Sequence, residues 1–210
     1  MISSKPSGHP TSARGRVIPL LARLGLVRAP DHYRLHPSGP GPILDVGCGH
    51  AKYPGAVGVD ISPNTDADVV HDLNEDPWPF EDRRFAQILC QDVLEHVREP
   101  LRFMAELHRV AQPDGRIHLR TPHYSSVLAY SDPTHEHYFS AMAIRTFEQA
   151  LFSHYLSVRF RIVSLTLDFW DPLRWIGVAA LANRFVSVYE MLFAFRWPAM
   201  NIRVELAAVK

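Results

Sequence analysis

Ile43-Leu44-Asp45-Val46-Gly47-Cys48-Gly49 is followed, after a short gap, by Ala56-Val57-Gly58-Val59-Asp60-Ile61-Ser62. The first stretch reads as a strand running into a glycine turn. Ile43, Leu44 and Val46 are apolar on both faces, as in a strand inside a parallel sheet. Gly47 and Gly49 permit a tight turn and let a ligand approach main-chain N–H groups. Ala56 to Val59 reads as a second short strand ending on Asp60. An acid at the tip of the second strand is where a nucleotide-binding α/β sheet places its ribose hydrogen bond. A Gly-x-Gly turn also serves as a plain strand connection with no ligand. The carboxylates of Asp45, inside the first strand, and of Asp60 add the ligand reading.

Working outward, the chain of 210 residues suits a single domain with a sizeable core. Lysine plus arginine equals aspartate plus glutamate, at 22 each, which argues against a broad nucleic-acid surface. The two cysteines, Cys48 and Cys90, have neither metal-knuckle nor disulfide spacing, so a reducing cytoplasm is expected. Residues 1–16 lack periodicity and read as a disordered leader, with one domain over 17–210. Val17 to Val27 is apolar but interrupted by Pro19 and Arg23, which rejects a signal peptide. It reads as a short packed helix or as a lid over the site.

Downstream, Ala67 to Val70 is a third strand and Phe85 to Cys90 a fourth. Asp60 stands only eleven positions after Gly49, where a standard unit uses about twenty. The first helix must therefore shrink to about one turn or give way to a loop. Pro100 to Ala111 reads as a helix with Phe103, Leu107 and Val110 on its apolar face. Arg102, Glu106 and Arg109 read as its solvated face. Pro113-Asp114-Gly115 turns the chain into a fifth strand, Arg116 to Thr121. Two late runs, Leu156 to Phe169 and Asn201 to Val209, alternate with period two. Ala141 to Phe152 reads as a helix. Between the late strands lies a strongly apolar insertion, 172–198, which Arg174, Arg184, Glu190 and Arg196 break too often for a membrane span. It is either core or an exposed surface for a partner, a second copy before a membrane or lipid surface.

The Asp-x-Gly-x-Gly turn, Gln91-Asp92-Val93-Leu94-Glu95-His96, and Glu106-Leu107-His108-Arg109-Val110 running to Pro113-Asp114-Gly115 together resemble class I S-adenosylmethionine (SAM) dependent methyltransferases, type 11-like. The resemblance implies an α/β, Rossmann-like, mostly parallel sheet with an antiparallel last strand; the shortened first helix departs from the common pattern, and the apolar insertion before the last strand has no family motif behind it. It implies SAM as cofactor, held by Asp45, Gly47, Cys48 and Gly49 at the turn, by Asp60 and Ile61, and by Asp72 and Leu73 near the adenine. Gln91 and Asp92 would lie near the methionine. The third glycine of the dinucleotide fingerprint is absent, Lys52 standing there, which counts against a dehydrogenase-like binder.

Methyl transfer to a hydroxyl is helped by a base, and histidine titrates near neutrality. His96, His123 and His135 are the candidates. Asp92-x-x-Glu95-His96 also resembles the ligand set of some metal-dependent O-methyltransferases, with His123 or His135 to complete it. The same pair is common in members without a metal, so no metal ligand is assigned. The expected acceptor is a small molecule or sugar, recognised by the polar, aromatic segment from His123 to Tyr138. A non-catalytic SAM-binding protein is the alternative.

Overall fold

In a computed structural model, residues 34–148 and 158–210 are described. The leader, the Val17–Val27 helix or lid, the end of the helix expected to reach Phe152 and the first two residues of the Leu156–Phe169 run lie outside them.

Seven strands form one sheet: β1 (Ile43–Val46), β2 (Val57–Asp60), β3 (Val69–Val70), β4 (Phe85–Gln91), β5 (Ala111–Pro122), β6 (Arg159–Asp168) and β7 (Asn201–Val209). Their order is β3-β2-β1-β4-β5-β7-β6. β1 pairs in parallel with β2, placing Asp45 opposite Gly58, and with β4, placing Val46 opposite Cys90. Neighbouring β5 and β6 both run antiparallel to β7. The sheet is thus the expected one, parallel but for its last strand. Its order reverses at β1, so the carboxyl ends of β1 and β4 open the crevice where α/β sheets bind ligands.

The core follows from the apolar runs. Leu44, Val46, Val59, Ile88 and Cys90 are fully buried at the sheet centre. Helix α1 (Pro100–Val110) packs Phe103, Met104, Leu107 and Val110 against them. Its predicted solvated face needs correction. Glu106 is buried, and its carboxylate accepts the Trp78 backbone N–H at 2.7 Å and the Arg109 guanidinium at 2.7 and 2.8 Å. Arg109 also donates to the carbonyls of Phe80 and Trp78, tying the loop before β4 to the helix. A helical wheel cannot show that a loop lies across the polar stripe.

Edge strand β6 keeps period two with a phase change. Phe160 and Ile162 face inward, the pairing with β7 shifts between Ile162 and Ser164, and Leu165 and Leu167 then take the inward side. A bulge of this kind inserts one residue and leaves Val163 exposed.

The insertion folds as three short helices, α4 (Asp171–Trp175), α5 (Val178–Arg184) and α6 (Val186–Leu192). Two shorter helices, α2 (Val127–Tyr130) and α3 (Ala141–Arg145), precede them in the chain. Asn183 pins α5 to the sheet edge, accepting from Leu167 N at 2.7 Å and donating to Leu167 O at 3.0 Å. Ala182, Val186, Tyr189 and Glu190 face inward. Trp175, Ile176, Leu181, Met191, Leu192 and Phe195 stay exposed, so the outer face is not intramolecular core. The partner contact expected of the insertion has this face to use. No helix among the described residues is long and apolar enough to cross a membrane.

Candidate active site

The residues expected to hold the cofactor lie at the carboxyl ends of β1, β2, β3 and β4. Gly47 and Gly49 hold left-handed backbone, with φ of 64° and 53°. A side chain at Gly47 would meet Val93 Cγ2 at 2.4 Å, so this glycine serves the close packing of the β4 loop. Gly49 faces open space. The two glycines therefore differ in use: one closes the fold and the other leaves room.

The turn leads into a loop, and no helix lies between β1 and β2. The expected shortened helix is thus replaced, as eleven residues through Pro54 and Gly55 allow. Gly47 N and Cys48 N donate to Val59 O at 2.8 and 3.2 Å. Those N–H groups lock β1 to β2, and no helix N-terminus is present here to attract an anion. The Cys48 side chain turns back towards Gly58, whose added Cβ would lie 2.8 Å from its Sγ. Burial, then the charges of Asp45 and Asp60, push this thiol up to about 11.

Asp60 sits half-buried at the β2 tip. Its Oδ2 accepts Gly49 N at 3.0 Å and its Oδ1 accepts Ser62 N at 2.9 Å. A carboxylate offers about four acceptor sites, so two remain for a pair of ribose hydroxyls. Beside it Ile61 is 63 % exposed, an apolar face with room for a planar base. Asp45 is buried and accepts Tyr53 N at 2.6 Å. Asp72 accepts the Asn74 backbone and side-chain amides, both at 2.9 Å, and the backbone N–H leads in holding its carboxyl below the usual range. Leu73 is half-buried against the core. Open space at Gly49, two unfilled acceptor sites on Asp60 and the exposed Ile61 fit a nucleoside-bearing cofactor.

At the β4 end the predicted residues part company. Gln91 accepts Leu35 N through Oε1 at 3.0 Å. Asp92, at φ 57°, forms a two-pronged ion pair with Arg120 on β5. Asp92 is thus taken by Arg120, and the donor group formed by Glu95 and His96 is completed by His135, not by Asp92. His123 is also set apart. It is fully buried, its Nε2 lies 3.0 Å from Glu190 Oε1, and its Nδ1 accepts Ser125 N at 3.2 Å. Glu190 in turn accepts Ala141 N and Met142 N, so this histidine braces α3 against α6 and does not face a cleft.

His96 and His135 come together instead. Their ring centroids lie 4.6 Å apart at 70°. A 3-10 turn, Leu94–His96, follows β4, and its Glu95 carbonyl accepts Glu136 N and His137 N. That anchors the Asp132–His137 segment over the turn. Glu95 is 1 % exposed; Thr121 Oγ1 donates to its Oε2 at 3.0 Å. Burial, then the charge of Asp92, push its carboxyl up to about 8. Its Oε1 lies 4.0 Å from His135 Nε2, and neither atom has a hydrogen-bond partner. Thr121 and Thr134 orient this cluster; the sequence marks Thr121 only as the end of the fifth strand and Thr134 only as part of the His123–Tyr138 segment. The Ala129 carbonyl that holds His135 leaves no sequence signal.

A family model described as a methyltransferase domain matches residues 13–165. No curated protein matches by sequence. Solved structures do match in fold. A SAM-dependent methyltransferase from Archaeoglobus fulgidus is 18% identical with a TM-score of 0.55, covering 93% of this chain and 94% of its own. One from Mesorhizobium loti is 15% identical with a TM-score of 0.52, over 82% and 93%. A possible histamine N-methyltransferase from Thermotoga maritima is 14% identical with a TM-score of 0.53, over 82% and 84%. Taken with the strand order and the glycine turn, these findings place the chain in the methyltransferase-domain family: it is a class I SAM-dependent methyltransferase, with SAM as its cofactor.

Proposed function

We propose that the chain methylates a hydroxyl on a small molecule or sugar-type acceptor, with Glu95, His96 and His135 as the acceptor-activating cluster. The observation that carries this reading is the state of the two imidazoles. His135 Nδ1 lies 2.7 Å from the Ala129 carbonyl, which only accepts, so Nδ1 carries the proton. Thr134 Oγ1 donates to Asp132, so His96 Nδ1 is the donor towards Thr134. Both rings therefore present an unprotonated Nε2 in their neutral form. His96 is half-exposed, which gives the cluster a mouth.

Bound SAM supplies the electrophilic methyl group. The chain's residues orient the partners and accept the hydroxyl's proton, a contribution of about 10²–10⁴-fold. Asp60, Ile61, Asp72 and Leu73 position the nucleoside end. The Asp132–Tyr138 segment, hung on the Glu95 carbonyl, shapes the acceptor side.

The test is product analysis. Purified protein is given SAM and a panel of hydroxylated small molecules, and O-methyl product and S-adenosylhomocysteine are measured by mass spectrometry. His96→Ala and His135→Ala should lower turnover about 10²-fold or more while S-adenosylhomocysteine still binds. Methylation indifferent to both substitutions would refute the cluster's role. Binding of S-adenosylhomocysteine with no product from any acceptor would favour the non-catalytic alternative.

A further inference from the structure

We infer that Glu95, His96 and His135 form a site for a divalent transition-metal ion, with one coordination position open on the exposed side of His96. This deepens the acceptor-activating reading of the same cluster: with the ion bound, the two Nε2 lone pairs hold it instead of taking the proton, and the ion activates the acceptor hydroxyl, whose proton passes to solvent; the binding itself stands on separate observations.

One donor atom from each of the three residues lies within 4.8 Å of the others. The convergence is electron-rich. His135 Nε2 bears a lone pair because its Nδ1–H is spent on Ala129. His96 keeps Nε2 for a ligand because its Nδ1–H is spent on Thr134. Glu95 Oε1 is buried and unpartnered, as is His135 Nε2. A buried polar atom without a partner is costly, and two such atoms stand here. They are 4.0 Å apart, too far to satisfy each other. A cation between them satisfies both.

The donors select the ion. Two imidazole nitrogens and one carboxylate oxygen suit Zn²⁺, Fe²⁺, Co²⁺ or Ni²⁺, whereas Mg²⁺ and Ca²⁺ prefer oxygen alone. Donor bonds of ~2.1 Å in tetrahedral array put donors ~3.4 Å apart, so side-chain adjustments of under about 1 Å close the set. The outer contacts are those of a metal centre. Each histidine hands its other N–H to an oxygen, and Thr121 holds the carboxylate. Three protein ligands with a half-exposed His96 leave a fourth position on the exposed side, the pattern of catalytic rather than structural sites.

The experiment uses the full chain stripped with a chelator and titrated with Co²⁺, read by visible absorption and by Zn²⁺ competition against a chromophoric chelator. We expect one equivalent per chain. Glu95→Gln and His135→Ala should weaken binding at least about 100-fold. His96→Ala, the most exposed ligand, keeps the test decisive if the buried variants fail to fold. His50→Ala, exposed and outside the cluster, should bind as wild type. S-adenosylhomocysteine binding in the same samples reports the fold and the cofactor site separately. Sub-stoichiometric Co²⁺ in folded wild type, or affinity unchanged in His96→Ala and His135→Ala, overturns the inference. Stoichiometric metal together with methylation indifferent to His96→Ala would uphold the ion and refute only the acceptor-activating role.

Discussion

Asp60→Asn tests the proposed ribose contact separately from the fold around it. The carboxylate already holds two N–H groups, Gly49 N at 3.0 Å and Ser62 N at 2.9 Å. Its two remaining acceptor sites are what a vicinal pair of hydroxyls would use. A hydrogen bond to a charged group is worth about 1.5–3 kcal/mol. Asparagine keeps one oxygen and sets an NH₂ where the other stood, so one ribose bond is lost and its neighbour loses charge. The expected loss is about 2–3 kcal/mol, or roughly 30–150-fold in Kd. Asp60→Ala forfeits both bonds and should fall further. The side chain is half-buried and both N–H groups can turn to water, so the stability loss should stay near 1–2 kcal/mol. Calorimetric titration with S-adenosylhomocysteine reads the first quantity and thermal unfolding the second. An Asp60→Asn affinity within threefold of wild type would refute the assignment, and binding of NAD by the wild type would refute the choice of cofactor.

Two further substitutions separate fold from site. Gly47→Ala and Gly49→Ala both strain left-handed backbone by about 1–2 kcal/mol. Only Gly47 has Val93 in the way, at 2.4 Å, so Gly47→Ala should unfold at clearly lower temperature. Gly49→Ala should instead lose S-adenosylhomocysteine affinity more than tenfold with the smaller thermal loss; the reverse ranking would sink the distinction. Glu106→Gln should cost about 2–3 kcal/mol, because it leaves Arg109 and the Trp78 N–H against a neutral amide. Burial raises the Glu106 carboxyl, but the Arg109 and Trp78 hydrogen bonds outweigh it and its folded pKa lies below 4.5. The clasp's stabilisation is therefore present above the unfolded carboxylate pKa and is lost as pH falls through the folded value. Denaturant melts of wild type from pH 6 to pH 3 should converge on those of Glu106→Gln; parallel curves would show that the clasp is not the source.

Much of the fold was legible because its signals are local. The run Ile43 to Val46 is apolar at alternate and adjacent positions alike, which only a strand covered on both faces tolerates. The step of eleven positions from Gly49 to Asp60 left too little chain for a standard crossover helix, and a loop stands there. Phe103, Leu107 and Val110 announced the packed face of α1. The polar face misled, because Glu106 answers to Trp78, 28 positions away, and no periodicity carries that information. The β6 bulge was equally hidden, since its re-phasing shows only against β7.

The histidines mark the boundary most clearly. Sequence by itself determined the methyltransferase sheet, the glycine turn and the acids at its strand tips, since each depends on residues within a few positions of one another. It also singled out His96, His123 and His135 as candidate bases. Tertiary structure alone decided their uses. Arg120, brought alongside by β4–β5 pairing, draws Asp92 out of the cluster. Glu190, delivered by the insertion, claims His123. The Glu95 carbonyl, capturing the Asp132–His137 segment, lays His135 beside His96. Each choice is made by a partner distant in the chain, where burial leaves a polar atom either paired or expensive.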